Sequence, residues 1–161
     1  MIALDLSIET AEWNTLGDIE ALTLKAVSAA FEVTGGPPEK PVSISFLFAD
    51  DATIRTLNAD WRDKDKATNV LSFPAEHPPG MPGPELLGDI ILAFETCQRE
   101  AQEEEKSLIN HATHLIIHGT LHLLGYDHIE EEEAVEMESL EIEALATLGI
   151  DDPYKDTEIS A

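Results

Sequence analysis

Two histidines, His118 and His122, stand four residues apart in the stretch His118-Gly-Thr-Leu-His-Leu-Leu-Gly125-Tyr-Asp-His128. On a helix this spacing puts both imidazoles on one face, one turn from each other. Gly125 supplies a stop, because glycine enters the left-handed conformation just past a helix without steric penalty. The chain can turn there and bring His128 back towards the first pair. Three imidazoles then converge on one cation and leave a fourth position open. That is the ligand count of a catalytic zinc site, one ion per chain, rather than of a structural one. A zinc so held keeps its positive charge, lowers the pKa of bound water to about 7 and polarises a carbonyl or phosphoryl oxygen. The spacing therefore predicts hydrolysis, not redox chemistry, and does not choose between peptide and phosphodiester.

A single histidine near an apolar helix is ordinarily a core or surface residue. Three at ligand spacing around a glycine are hard to obtain that way. The pattern coincides with the metzincin motif H-E-x-x-H-x-x-G-x-x-H except at one position, where Gly119 replaces the general-base glutamate. His114 extends the row to 114, 118 and 122. The outer two would be about 12 Å apart in helical rise. Zinc–nitrogen bonds of about 2.0–2.1 Å cannot span that row. His118, His122 and His128 are thus the expected ligands, with His114 and Asp127 beside them or in the cleft. Either of those two as a fourth ligand would instead close the site and make the zinc structural.

The chain that must position these residues has 161 residues, enough for one domain, 1–161, with a real hydrophobic core. Its start, Met-Ile-Ala-Leu-Asp, lacks the basic opening of a signal peptide. No apolar run approaches the ~18–20 residues that span a bilayer. One cysteine, Cys97, excludes an internal disulfide, fits a reducing cytosol and reads as a small buried hydrophobe. These features predict a cytoplasmic protein with no membrane partner.

The formal charge is −24, from 33 acidic and 9 basic residues. Alone, this argues against nucleic acid, whose binding leans on phosphate neutralisation. The distribution softens that argument. Arg55, Arg62, Lys64 and Lys66 place four of the nine cations in one short segment, and none lies between Lys106 and Lys155. An anionic substrate could bind if that segment faces the metal.

Residues 2–8 alternate as a half-buried strand. Leu16 to Val33 carries a helical stripe, ended by Gly35-Gly36-Pro37-Pro38. Val42–Phe48 reads as a strand, and Asp50 or Asp51 can cap a short helix to about Asn58. A charged loop from Trp61 to Thr68 leads to a strand over Asn69–Phe73. Residues 74–87 hold five of the nine prolines and read as a long loop. Gly88–Phe94 reads as a buried strand and Glu95–Glu105 as a surface helix. Ser107 is the expected N-cap of the histidine helix, which is apolar nearly all round and so buried. A last helix begins near Glu130–Glu133, packs through Met137, Leu140, Ala144 and Leu148, and ends at Gly149; its acid-rich face reads as solvated surface. The order β-α-β-α-β-β-α-α-α, with helices gathered at the end, predicts α+β: a small mixed sheet packed with helices, one of them the buried metal-binding helix with its metzincin-like histidines.

For a phosphodiester the larger need is to stabilise charge on the non-bridging oxygens. A guanidinium does so through its fork, which makes Arg62 the catalytic candidate. The alternative for Arg62 is a surface cation or an ion pair with Asp63 or Asp65. The segments Leu57-Asn58, Trp61-Arg62-Asp-Lys64-Asp65-Lys66-Ala-Thr-Asn-Val-Leu-Ser-Phe-Pro74, Leu87-Gly-Asp-Ile90 and His118 to His128, with the late Asp152-Pro-Tyr154, resemble the YbeY family of bacterial endoribonucleases. The resemblance implies zinc on His118, His122 and His128, cleavage of single-stranded RNA, and Arg62 at the family's important arginine. Lys64 and Lys66 are the cations expected to guide RNA. It also implies 16S rRNA 3′-end maturation, ribosome quality control, and contacts with small-subunit ribosomal proteins and a ribosome-associated GTPase. Two other classes are weighed against it: a metallopeptidase, and a non-enzymatic ribosome assembly factor with a structural zinc.

Overall fold

The alternation of β2 (Val42–Ala49) seeds the sheet: Val42, Ile44, Phe46 and Phe48 are buried on one face, and Ser43, Ser45 and Leu47 are half-buried on the other. The computed structural model describes residues 2–63, 67–75, 85–126 and 130–153. β1 (Ile2–Ile8) and β4 (Glu85–Ala93) flank β2 in parallel, and β3 (Val70–Pro74) pairs antiparallel on the outer edge of β4. The order is β1-β2-β4-β3, a four-stranded mixed sheet within an α+β fold, as expected.

α1 (Ile19–Val33), α4 (Leu108–Leu123) and α5 (Glu131–Thr147) cover the face that carries Ile44, Phe48, Ile90 and Leu92. Ala26, Ala29 and Ala30 are buried in α1, where short side chains allow close helix approach. α2 (Asp51–Arg62) lies on the opposite face and packs its Ile54 with Leu71 and Ile91. α3 (Phe94–Glu103) follows β4 directly.

The histidine helix forms as its residues dictate. Ser107 caps it by accepting from the Asn110 amide at 3.0 Å. At the other end Gly125 has φ +104°, with Gly125 N–H donating to His122 O and Tyr126 N–H to Leu121 O. This pair of bonds is a Schellman stop, so the chain turns where the glycine predicts.

Two elements differ from expectation. α2 continues to Arg62 instead of ending near Asn58, so Trp61 and Arg62 belong to its last turn rather than to a loop. Asp50 is its cap, and Asp63 closes it at φ 56° by donating its amide to Asn58 O. Asn58 is buried, and that tertiary environment overrides its weak helix propensity. Residues Ala11–Leu16 form a 3₁₀ turn that ends at Leu16, where the helical stripe was expected to begin, and α1 starts only at Ile19. The turn buries Trp13 edge-on against Phe48 and Phe94, with Nε1 donating to Ala49 O at 2.8 Å. Of the proline-rich stretch, Pro74 ends β3 and 85–87 begin β4; 76–84 lie outside the described residues. Cys97 is buried as expected, and burial pushes its thiol pKa up.

β4 carries a bulge: Ser43 pairs with Leu86 and Ile44 with Gly88, so Leu87 is skipped. Gly88 has φ +152°, and a Cβ there would lie 2.3 Å from Phe73 O and 2.7 Å from Leu123 Cδ2. The glycine lets β3 and the histidine-bearing end of α4 close over the bulge. Gly88→Ala is expected to destabilise the chain by about 2–4 kcal/mol, from backbone strain plus overpacking. Urea unfolding measures it; an unchanged midpoint would contradict the packing account.

Candidate metal centre

His118 and His122 share one face of α4, as their spacing requires, with ring centroids 4.7 Å apart and planes nearly perpendicular. A third residue organises them. Glu141 of α5 is 1% exposed, and its Oε1 lies 2.5 Å from His118 Nδ1 and 3.5 Å from His114 Nε2. Burial alone would raise the Glu141 pKa, but hydrogen bonds from His114 and His118 outweigh it and hold the carboxyl at about 2. An ionised carboxylate only accepts, so both facing imidazole nitrogens must donate. His118 then donates from Nδ1, which leaves Nε2 as the nitrogen that can face a cation. A carboxylate behind a histidine in this way fixes the tautomer and orientation that a metal ligand needs. The residues present therefore fit a bound cation.

Gly119 shows why the glutamate of the peptidase motif has no place here. A Cβ at this position would sit 3.1 Å from Ile90 and from Ser72 Oγ. The helix presses on the sheet at that point, and even a methyl group there requires Ile90 and Ser72 to give by a few tenths of an ångström.

A second group lies about two turns from His118 towards the start of α4. Glu100, Glu104 and His111 offer ligand atoms within 4.8 Å of one another and could hold a metal ion. Burial raises the Glu100 pKa, but hydrogen bonds from His111 and Asn69 more than offset this and leave it lowered. His111 Nε2 lies 2.9 Å and Asn69 Nδ2 3.0 Å from Glu100 Oε1, while Lys106 lies 3.1 Å from Glu104. These acids are thus already compensated by neighbours.

The family model described as Endoribonuclease YbeY matches residues 7–149. The chain belongs to the YbeY family. Endoribonuclease YbeY of Agrobacterium fabrum is 53% identical, over 96% of each chain. That of Paramagnetospirillum magneticum is 54% identical, over 86% of this chain and 82% of its own. A solution structure from Thermotoga maritima, TM1509, superposes with a TM-score of 0.54 at 22% identity, covering 92% and 91% of the two chains, and so shares the fold.

In this chain the structure brings together His118, His122 and His114, and His114 and His118 share the Glu141 carboxylate. Asp127, His128, Lys64 and Lys66, like Tyr154, lie outside the described residues, as does the side chain of Arg62. The Arg62 main chain ends α2 on the sheet face opposite α4. Glu141 escaped the sequence reading, which took the acids of α5 as solvated. The signal was there: Glu141 is the one acid at the buried spacing of Met137, Ala144 and Leu145. His111 and Glu100 were missed as well; the pair is joined only by the packing of α3 on α4.

Proposed function

We propose that this chain is a zinc-dependent endoribonuclease specific for single strands, with one zinc on His118, His122 and His128. Membership of an endoribonuclease family makes RNA its substrate, and the sites of action are 16S rRNA 3′-end maturation and ribosome quality control in the cytoplasm. The partners the resemblance implies are small-subunit ribosomal proteins and a ribosome-associated GTPase. The whole chain, 1–161, acts as one hydrolase domain, a reading supported by the extent of the family match. No helix among the described residues is long and apolar enough to cross a membrane.

The observation that carries this reading is the buried Glu141 carboxylate on His118 Nδ1, with His122 at 4.7 Å between rings. When bound, zinc would activate water and polarise a phosphoryl oxygen. The chain's own residues do the rest. Glu141 fixes the His118 ring and raises its basicity. Buried α4 holds both imidazoles rigidly. Arg62 pairs with the scissile phosphate, and Lys64 and Lys66 steer the strand towards it.

Gly119 weighs against the metallopeptidase, since it supplies no base and its Cβ position is already crowded by Ile90 and Ser72. An assembly factor with a structural zinc would need His114 or Asp127 as a fourth ligand, and His114 is turned to Glu141 instead. Elemental analysis tests the ligand set. One zinc per chain is expected, lost in His118→Ala, His122→Ala and His128→Ala; undiminished zinc in His128→Ala would overturn the assignment.

A further inference from the structure

The face of the sheet away from α4 carries a row that the metal centre does not use. Asp5 is in register with Ser45, Ser45 with Asp89, and Asp89 with Phe73. Residues in one register row point to the same side of a sheet, so an Asp-Ser-Asp-Phe row crosses all four strands. α2 covers only part of this face. The row opens into a cleft of about 600 Å³ whose wall is Trp61 of α2. Trp61 is 72% exposed, more than any other large apolar side chain among the described residues. It precedes Arg62 in the last turn of α2, within the cation-rich segment.

We propose that this cleft is a base-binding subsite for single-stranded RNA, with Trp61 stacked on a nucleobase and Asp5 and Asp89 accepting hydrogen bonds from exocyclic amines. The inference rests on the endoribonuclease reading and specifies how that enzyme holds its substrate.

Charge selects the occupant. Two carboxylates on the floor repel a phosphate. A base offers what the cleft lacks: a π face for the indole and, in cytosine, adenine and guanine, amino donors for the acids. Uracil has no such amine. The rim of the cleft at Pro74 lies beside the histidine-bearing end of α4. Pro74 lines the cleft, and Pro74 Cα and Leu123 Cδ2 lie 3.0 and 2.7 Å from the Cβ position of Gly88. Leu123 follows His122. A strand crossing the β3 edge at Pro74 would have its bases on one face and a phosphate near the histidines on the other.

The test uses the zinc-loaded full chain and single strands of about eight nucleotides, within the range such grooves bind. The strands are oligo(C), oligo(U) and an abasic ribose-phosphate of equal length. Trp13 is 0% exposed, so quenching of tryptophan fluorescence reports Trp61. Oligo(C) is expected to quench it and to bind more tightly than oligo(U), a preference that Asp89→Asn removes. Trp61→Ala should raise the Kd for oligo(C) about 5- to 100-fold, the range for one lost stack, while Trp61→Phe recovers most of the loss. The salt dependence of binding should not change, because no phosphate contact is removed. The abasic strand should bind parent and Trp61→Ala alike. Equal oligo(C) affinity in Trp61→Ala, or equal loss with the abasic strand, would overturn the inference. So would unchanged RNA affinity with lost binding of a basic peptide, which would make the cleft a protein-docking surface. A parent chain that cleaves RNA, with Trp61→Ala binding it equally well, overturns this inference alone. A parent that neither binds nor cleaves any strand overturns the endoribonuclease reading with it.

Discussion

Arg62→Ala is expected to keep its fold and its zinc yet lose cleavage by about 10²–10³ even at saturating RNA, the cost of removing one stabiliser of developing charge. The chain carries nine basic residues against 33 acidic ones, so an RNA strand has few cations to meet. Four of the nine lie between Arg55 and Lys66. Arg62 is carried on the last turn of α2, where the Asp63 amide returns to Asn58 O, whereas Lys64 and Lys66 come after the helix in sequence. A guanidinium carried on a rigid helix end can be held in one place, whereas a steering charge need not be. The two roles separate kinetically. Loss of a transition-state contact lowers kcat together with kcat/KM, and loss of a steering charge chiefly weakens binding and its salt dependence. Lys64→Ala should therefore be rescued by more RNA or less salt, and Arg62→Ala should not. Arg62→Lys should also fall short, because an ammonium cannot present the two-pronged fork to a phosphate. Steady-state kinetics across RNA concentration decide this; a normal maximal rate in Arg62→Ala would reduce the loop to an entry ramp.

Glu141→Gln is expected to weaken zinc binding about 10- to 100-fold, as loss of a carboxylate behind a ligating histidine typically does. Two imidazole N–H groups converge on Oε1 of Glu141, and an ionised carboxylate can accept both. The neutral amide of glutamine keeps one acceptor oxygen and adds an NH₂ that meets donors. His118 then loses the partner that accepts from Nδ1 and leaves Nε2 to face a cation. The variant should also lose about 1–3 kcal/mol of stability, the cost of leaving a buried hydrogen-bonding group imperfectly matched. Glu141→Asp tests distance rather than charge: the shorter stem keeps the ionised group but withdraws it, so its zinc affinity should fall between parent and Gln. Chelator competition measures both variants. Unchanged zinc affinity in Glu141→Gln would show that the carboxylate supports packing and not the ligand.

What the sequence shows of the site is set by how local each relation is. The His118–His122 pair and the Gly125 stop depend on spacing within three turns of one helix, and the structure reproduces both. Ser107 likewise caps the residues next to it. Glu141 sits 23 residues beyond His118 and meets it only because α5 packs on α4. In a helix that opens Glu131-Glu-Glu, one further acid gave no alarm, although its spacing from Met137 placed it inwards. The mixed α+β class followed from element order. The strand order did not, since β3 reaches the edge only by pairing backwards on β4 across a bulge that Gly88 makes possible. The end of α2 was misplaced for a related reason. Asn58 is a poor helix former alone, and the burial that holds it in a helix is a property of the fold.

The account turns on a metal held by the α4 histidines acting on RNA. The most direct measurement is cleavage of a single-stranded RNA by chelator-stripped protein during titration with zinc. The account predicts no cleavage without metal, recovery that saturates at one zinc per chain, and no recovery in His122→Ala at any zinc concentration. Full cleavage by the metal-free protein, or equal recovery in His122→Ala, would contradict it.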